Sequence, residues 1–194
     1  MYRLRFALLL LATLGCATPA AAQAVIARGG VDFTNASFDE TDTSAEPGFV
    51  GGVAVRFGTG RTTLQVEGLF AQKRISFSTN LIEDHIWYLE VPALIRYGLW
   101  KSAAGRTAQV FGGGVAGFRL AASEKVGDES STDIKDALKS VTGGIVVGGD
   151  VQITGLWSVD VRYTFGLSGA YNTLDGGSAG KLNTLQATLG YRIR

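Results

Sequence analysis

The feature that most constrains this chain is a two-residue alternation that runs unbroken through its C-terminal third. In Ser158 to Ser168, Val159, Val161, Tyr163, Phe165 and Leu167 point one way, while Ser158, Asp160, Arg162, Thr164, Gly166 and Ser168 point the other. In Asn183 to Ile193, Leu185, Ala187, Leu189, Tyr191 and Ile193 share a face opposite Thr184, Gln186, Thr188, Gly190 and Arg192. Period two is the geometry of a strand between two unlike environments. Each run is as long as a strand that crosses a bilayer, ~9–11 residues tilted by about 45°.

The same pattern recurs upstream. Val25, Ala27, Gly29, Val31 and Phe33 alternate with Ile26, Arg28, Gly30 and Asp32. Phe49, Gly51, Val53, Val55 and Phe57 alternate with Val50, Gly52, Ala54 and Arg56. Gly58-Thr59-Gly60-Arg61 reads as a tight hairpin turn, because glycine supplies the positive φ that such turns demand. A third strand, about Thr62 to Phe77, sets Leu64, Val66, Gly68 and Phe70 against Gln65, Glu67, Leu69 and Ala71; its far end, Gln72 to Ser78, keeps register poorly and predicts a bulge there. After a connection at Thr79 to Asp84, Trp87, Leu89, Val91, Ala93, Ile95 and Tyr97 oppose Tyr88, Glu90, Pro92, Leu94 and Arg96. Pro92 predicts an edge strand. Gln109 to Ala121 sets Val110, Ala116, Phe118 and Leu120 against Gln109, Phe111, Val115 and Arg119, and Ile145, Val147, Val151 and Ile153 alternate with Gly144, Val146, Gly148, Asp150 and Gln152.

Thr34 to Glu46, Ser123 to Asp136 and Asn172 to Lys181 read as long polar loops, whereas the turns at Trp100 to Arg106 and Thr154 to Leu156 are short. Only a weak helical stripe near Ile134 to Val141 interrupts the strand pattern. The predicted fold is all-β: a closed, up-and-down antiparallel barrel of about eight transmembrane strands, with long and short connections at opposite ends. The 27 glycines and 3 prolines fit that class.

Arg3 and Arg5, the apolar run Phe6 to Leu14 and the small residues before Gln23 predict a secretory signal peptide over 1–22, leaving 23–194 as the barrel domain. Cys16 follows Leu14-Gly15 as in a lipoprotein signal, but Thr13 stands where a large aliphatic residue belongs, and a conventional cleavage site follows at Ala22. Without Arg3 and Arg5 the chain carries 16 basic and 17 acidic residues, which argues against nucleic acid as a partner.

Alternation alone does not say which face is wet, and a soluble lipocalin-like carrier competes with a membrane barrel. Mid-strand charges are Arg28, Arg56, Arg96, Arg119, Arg162 and Arg192 against Asp32, Glu67, Glu90, Asp150 and Asp160. Lysines fall in turns and loops, with Lys73 and Lys139 near strand ends. Guanidinium matched to carboxylate suits a closed polar lumen, since buried charge is tolerated only when paired. Aromatic residues near strand ends, Phe33, Phe49, Phe57, Trp87, Tyr97, Trp157 and Tyr191, fit interfacial girdles.

The strand Tyr88 to Tyr97, with Tyr88, Leu89, Glu90, Pro92, Arg96 and Tyr97 as its marks, resembles the outer-membrane β-barrel domain proteins, the porin-family small barrels that include PorT. The resemblance implies the outer membrane of a Gram-negative-type bacterium, reached through the periplasm. It implies lipid and the barrel-assembly machinery as partners, with some relatives linked to secretion. Such barrels commonly finish on an aromatic residue, whereas this chain has Ile193 and Arg194 after Gly190 and Tyr191.

No catalytic constellation emerges. His85 beside Asp84 lacks a placed serine, the acidic Asp39, Glu40 and Asp42 lack the spacing of a calcium loop, and Gly112 to Gly114 are not followed by a phosphate-binding Lys-Ser/Thr. No metal or cofactor is expected. Function then falls to the structure itself or to the long loops, through adhesion or binding of an extracellular or envelope protein. A small-solute channel is the alternative.

Overall fold

The computed structural model describes residues 24–37, 43–77, 82–102, 106–126, 132–133, 139–169 and 180–194. These form β1 (Ala24–Ser37), β2 (Thr43–Phe57), β3 (Thr62–Phe77), β4 (Ile82–Lys101), β5 (Thr107–Val126), β6 (Thr132–Asp133), β7 (Val141–Gln152), β8 (Trp157–Gly166) and β9 (Lys181–Arg192). Every pairing is antiparallel: the order runs β4-β3-β2-β1-β9-β8-β7-β5, and β5 returns to β4, so eight strands close on themselves. The two-residue β6 only extends β5 at Ser123 and Glu124. The seam joins β1 to β9, with the Val25 amide donating to the Arg194 carbonyl at 3.0 Å and the Ile193 amide to the Val25 carbonyl at 2.8 Å.

The faces follow the alternation. Val161 (48% exposed) and Leu189 (51%) look out, whereas Arg162 (1%) and Gln186 (1%) look in. An uninterrupted apolar exterior of this size is a surface for lipid, not for water. Phe33, Phe49 and Trp87 stand exposed toward the end that carries the long connections, and Tyr97, Trp100, Trp157 and Tyr191 toward the other. Trp157 and Tyr191 pack across the β8–β9 pair with ring centroids 4.9 Å apart.

The turn at Gly58 to Arg61 takes its expected place, with Gly58 and Gly60 both at φ 97°. Three other expectations are corrected. Strand pairing replaces the flanks of the expected loops: β1 continues to Ser37 and β2 begins at Thr43, β4 begins at Ile82, and β5 continues to Val126. The reason is that the lumen is polar, so Thr34 can point inward, fully buried, and bond the Thr184 hydroxyl at 3.0 Å. The bulge lies across the ladder from its expected strand. Register shifts between Glu46 and Phe49, so Pro47 and Gly48 of β2 face the single Lys73 of β3, at a point where Pro47 has no N–H to offer a ladder.

Pro92 does not mark an edge, because a closed barrel has none. It pairs Val115 of β5, while the β3–β4 ladder steps from Val66–Ala93 to Leu69–Glu90 without bonding at its level. Further register shifts in β4–β5 leave Leu120 and Leu99 as extra residues. The expected signal peptide, the remainder of the long loops and residues 134–138 of the weak helical stripe lie outside the described residues.

Candidate functional site: the lumen

Inward-pointing charge fills the barrel. Five cations, Arg28, Arg56, Lys73, Arg96 and Arg162, and five carboxylates, Asp32, Glu67, Glu90, Asp150 and Asp160, are buried there. They come from β1, β2, β3, β4, β7 and β8, and β5 and β9 add Gln109, Thr184, Gln186 and Thr188. Each strand thus contributes the inward member of its alternation, and closure brings those members together.

The central cluster is built on Glu67 and Asp160. Arg162 grips Glu67 with Nη1 to Oε2 at 2.6 Å and Nη2 to Oε1 at 3.1 Å, the fork geometry that makes Arg–carboxylate pairs strong. Its Nε donates to Asp160 Oδ1 at 2.8 Å, two residues away on the same strand face. Arg28 Nη1 lies 3.1 Å from Asp160 Oδ2, and its Nε 3.4 Å from Glu67 Oε1. Arg28 Nη1 also donates to the Thr188 hydroxyl at 3.1 Å.

Arg96 Nη2 lies 3.0 Å from Asp150 Oδ1, and its Nε donates to Gln109 Oε1 at 3.1 Å. Arg56 Nε donates to Gln65 Oε1 at 3.0 Å, and the Gln65 amide passes the contact on to Glu67. The Phe111 ring lies beneath two guanidinium groups, 4.6 Å from that of Arg96 and 5.3 Å from that of Arg162. That ring fits because residue 148 is glycine: a Cβ there would stand 2.5 Å from Phe111 Cζ.

Toward the long-connection end a second layer forms. Lys73 Nζ lies 2.7 Å from Glu90 Oε1, donates to Thr184 Oγ1 at 3.2 Å and sits 5.5 Å from the Tyr88 ring centre. Gln186 Nε2 donates to Glu90 Oε2 at 3.1 Å. Asp32 is wholly buried near this layer, with neither carboxylate oxygen hydrogen-bonded among the described residues.

Of the charges singled out from sequence, Arg28, Arg56, Glu67, Arg96, Asp150, Asp160 and Arg162 meet in the first layer, and Glu90 lies in the second. Arg119 is half-buried and paired in register with Tyr88 near the outer end. Arg192 is half-buried at the opposite mouth, near Arg56 and Asp150. Of the family marks, Tyr88, Glu90, Pro92 and Arg96 point in, and Leu89 and Tyr97 point out.

Lys73 is the correction here. Read as a strand-end residue, it is 5% exposed and paired inside. Its parity with Gln65, Glu67, Leu69 and Ala71 carried the signal. The buried amides of Gln65 and Gln186 and the threonines at 34, 184 and 188 were also missed as members of the network.

Little space is left. A void of about 20 Å³ lies beside Lys73 and Glu90, and another of about 10 Å³ beside Arg56 and Asp150, each room for one water at most. A larger concavity of about 600 Å³, lined by Val91, Ala93, Gly114, Ala116 and Leu167 among others, lies on the lipid side. Among the described residues no group of His, Cys, Asp and Glu could hold a metal ion. The charged interior and apolar exterior reverse what a soluble carrier needs, and the lipocalin-like alternative falls.

Comparison with known proteins agrees with this arrangement. The structure resembles Ail, the attachment invasion locus protein of Yersinia pestis, at 17% identity and TM-score 0.51, covering 88% of this chain and 99% of that one. It resembles Neisserial surface protein A at 14% identity and TM-score 0.52, covering 86% of this chain and 96% of that one. At these identities the likeness is one of fold. No curated protein matches. The model of the outer membrane protein beta-barrel domain matches residues 22–172. An eight-stranded barrel, apolar outside and ionic within, together with that match over most of the sequence, places the chain in the outer membrane protein beta-barrel domain family.

Proposed function

We propose that this protein is a non-enzymatic, non-conducting barrel of the outer membrane that acts through its outer connections, binding a partner with a basic surface. The observation that carries the reading is the filled lumen: the Arg162–Glu67 pair crosses it from β8 to the opposite strand β3, and the voids beside the ion pairs are the size of a water. A barrel of eight strands has room for side chains but not for side chains and solutes together. The leader at 1–22 would deliver the chain through the periplasm.

The charge of the outer connections supports the kind of partner. Thr34 to Glu46 carries Asp39, Glu40, Asp42 and Glu46 and no basic residue, and Ser123 to Asp136 carries five acidic residues against Lys125 and Lys135. One structure of Ail contains sucrose octasulfate, a heparin analogue. An acidic rim selects the opposite charge.

Two measurements test this. In planar bilayers the barrel is expected to give no single-channel steps; discrete steps would put the small-solute channel in its place. Cells displaying it are expected to bind polylysine-coated beads over heparin-coated ones, and to lose that preference when Asp39, Glu40, Asp42, Glu124, Asp128 and Glu129 are changed to their amides.

A further inference from the structure

Acidic charge outside the lumen is confined to one end of the barrel, whereas basic charge stands at both. Every acidic residue outside the lumen lies in, or beside, the four connections at the long-loop end. The short-turn end carries Arg61, Lys101, Arg106, Arg192 and Arg194 and no Asp or Glu side chain. Three of these form one arc. Arg61 closes the β2–β3 turn and its carbonyl accepts the Gly98 amide at 2.8 Å, which ties it to the end of β4; Lys101 and Arg106 flank the next turn, closed by the Ser102 amide donating to the Arg106 carbonyl at 2.8 Å. All three side chains are exposed, and none has a carboxylate within ion-pair distance among the described residues.

Directly beneath the arc on the lipid side stand Tyr97, Leu99 and Trp100, 44%, 54% and 56% exposed. Leu99 is the extra residue of the β4–β5 bulge, which turns an additional apolar side chain toward lipid at this level. The Arg61 guanidinium lies 5.9 Å from the Tyr97 ring centre. Cations without a carboxylate partner among the described residues thus stand at the rim of the barrel, next to an exposed aromatic and aliphatic band of the kind that lies at a membrane interface.

From this juxtaposition we propose that Arg61, Lys101 and Arg106 form a site for the phosphate of an anionic phospholipid in the periplasmic leaflet, with Tyr97, Leu99 and Trp100 receiving the upper part of its acyl chains. A phosphodiester supplies the negative charge the arc lacks, and its tails supply the apolar cover the shelf needs. A soluble acidic partner would meet only the cations. The inference rests on the barrel standing in a membrane and not on what its outer connections bind, so it survives or fails independently of the adhesion reading.

The test uses the full barrel folded in phosphatidylcholine vesicles containing phosphatidylglycerol, with brominated tails placed on one lipid or the other at equal mole fraction. Trp87→Phe with Trp157→Phe leaves Trp100 as the reporter; Trp100→Phe with Trp157→Phe leaves Trp87, at the opposite end. Brominated phosphatidylglycerol is expected to quench Trp100 about twofold more than brominated phosphatidylcholine does, and Trp87 equally. The excess should vanish at ~0.5 M salt in the same protein, and in the triple variant Arg61→Gln, Lys101→Gln, Arg106→Gln. Equal quenching of Trp100 by the two lipids at low salt overturns the proposal, as does an excess that persists through the triple substitution.

Discussion

Glu67 is heavily committed: it takes both arms of Arg162, stands 3.4 Å from Arg28 and accepts from Gln65. Removing it leaves the buried Arg162 and Arg28 sharing the single carboxylate of Asp160, with one carboxylate gone from between them. Glu67→Ala should therefore cost about 3–5 kcal/mol in urea unfolding of the vesicle-folded barrel. Replacing Glu67 and Arg162 together by leucine should cost less than the sum of the two single changes, because the desolvation penalty leaves with the attraction. On the outer face the same logic is inverted. Val161→Arg places a charge in lipid at mid-strand and should cost about 2–4 kcal/mol in the same assay. These two residues were legible because each sits in an unbroken alternation whose apolar and ionic members could be told apart. Lys73 was obscured by its setting: beyond Ala71 the alternation inverts, with Ile75 and Phe77 at the parity of Lys73 and Gln72, Arg74 and Ser76 at the other, so the pattern there no longer says which face is inside. Pairing is beyond any such reading, since nothing in the strand holding Arg162 names Glu67, 95 residues earlier, as its partner.

At the level of the strand, fit depends on what the neighbouring wall leaves out. Gly148 of β7 is the absence that admits the Phe111 ring from β5, and that ring supports Arg96 and Arg162. Gly148→Ala should lower stability by about 1–3 kcal/mol through overpacking. Adding Phe111→Leu should restore part of the loss, a coupling read from a double-mutant cycle in urea. Strand faces and the Gly58 to Arg61 turn were readable locally, because alternation and positive-φ glycine are properties of adjacent residues. The β2 bulge and the place of Pro92 were not, because each is a relation between ladders. Pro47 and Gly48 become a bulge only when Lys73 lies opposite them, and Pro92 is tolerated inside the sheet only because β3 passes it without bonding at that level.

For the molecule as a whole, the sequence revealed closure through its even strand count and its alternation of long and short connections, but not the sorting of charge, which appears only once each connection is assigned to an end. That assignment is directly testable. In living cells a membrane-impermeant maleimide should label Ser140→Cys without treatment, and Thr59→Cys only after the outer membrane is permeabilised; the reverse pattern would turn the barrel over. The seam between β1 and β9 has its own consequence. The two strands that finish the cylinder are the first and the last of its staves in chain order, so no partial run of those strands can become a finished object. Until both are in place, a partly assembled barrel is a sheet with two raw margins, each able to zip onto the wrong neighbour. Whatever escorts it must keep those margins apart until its tail arrives, and must then release them together.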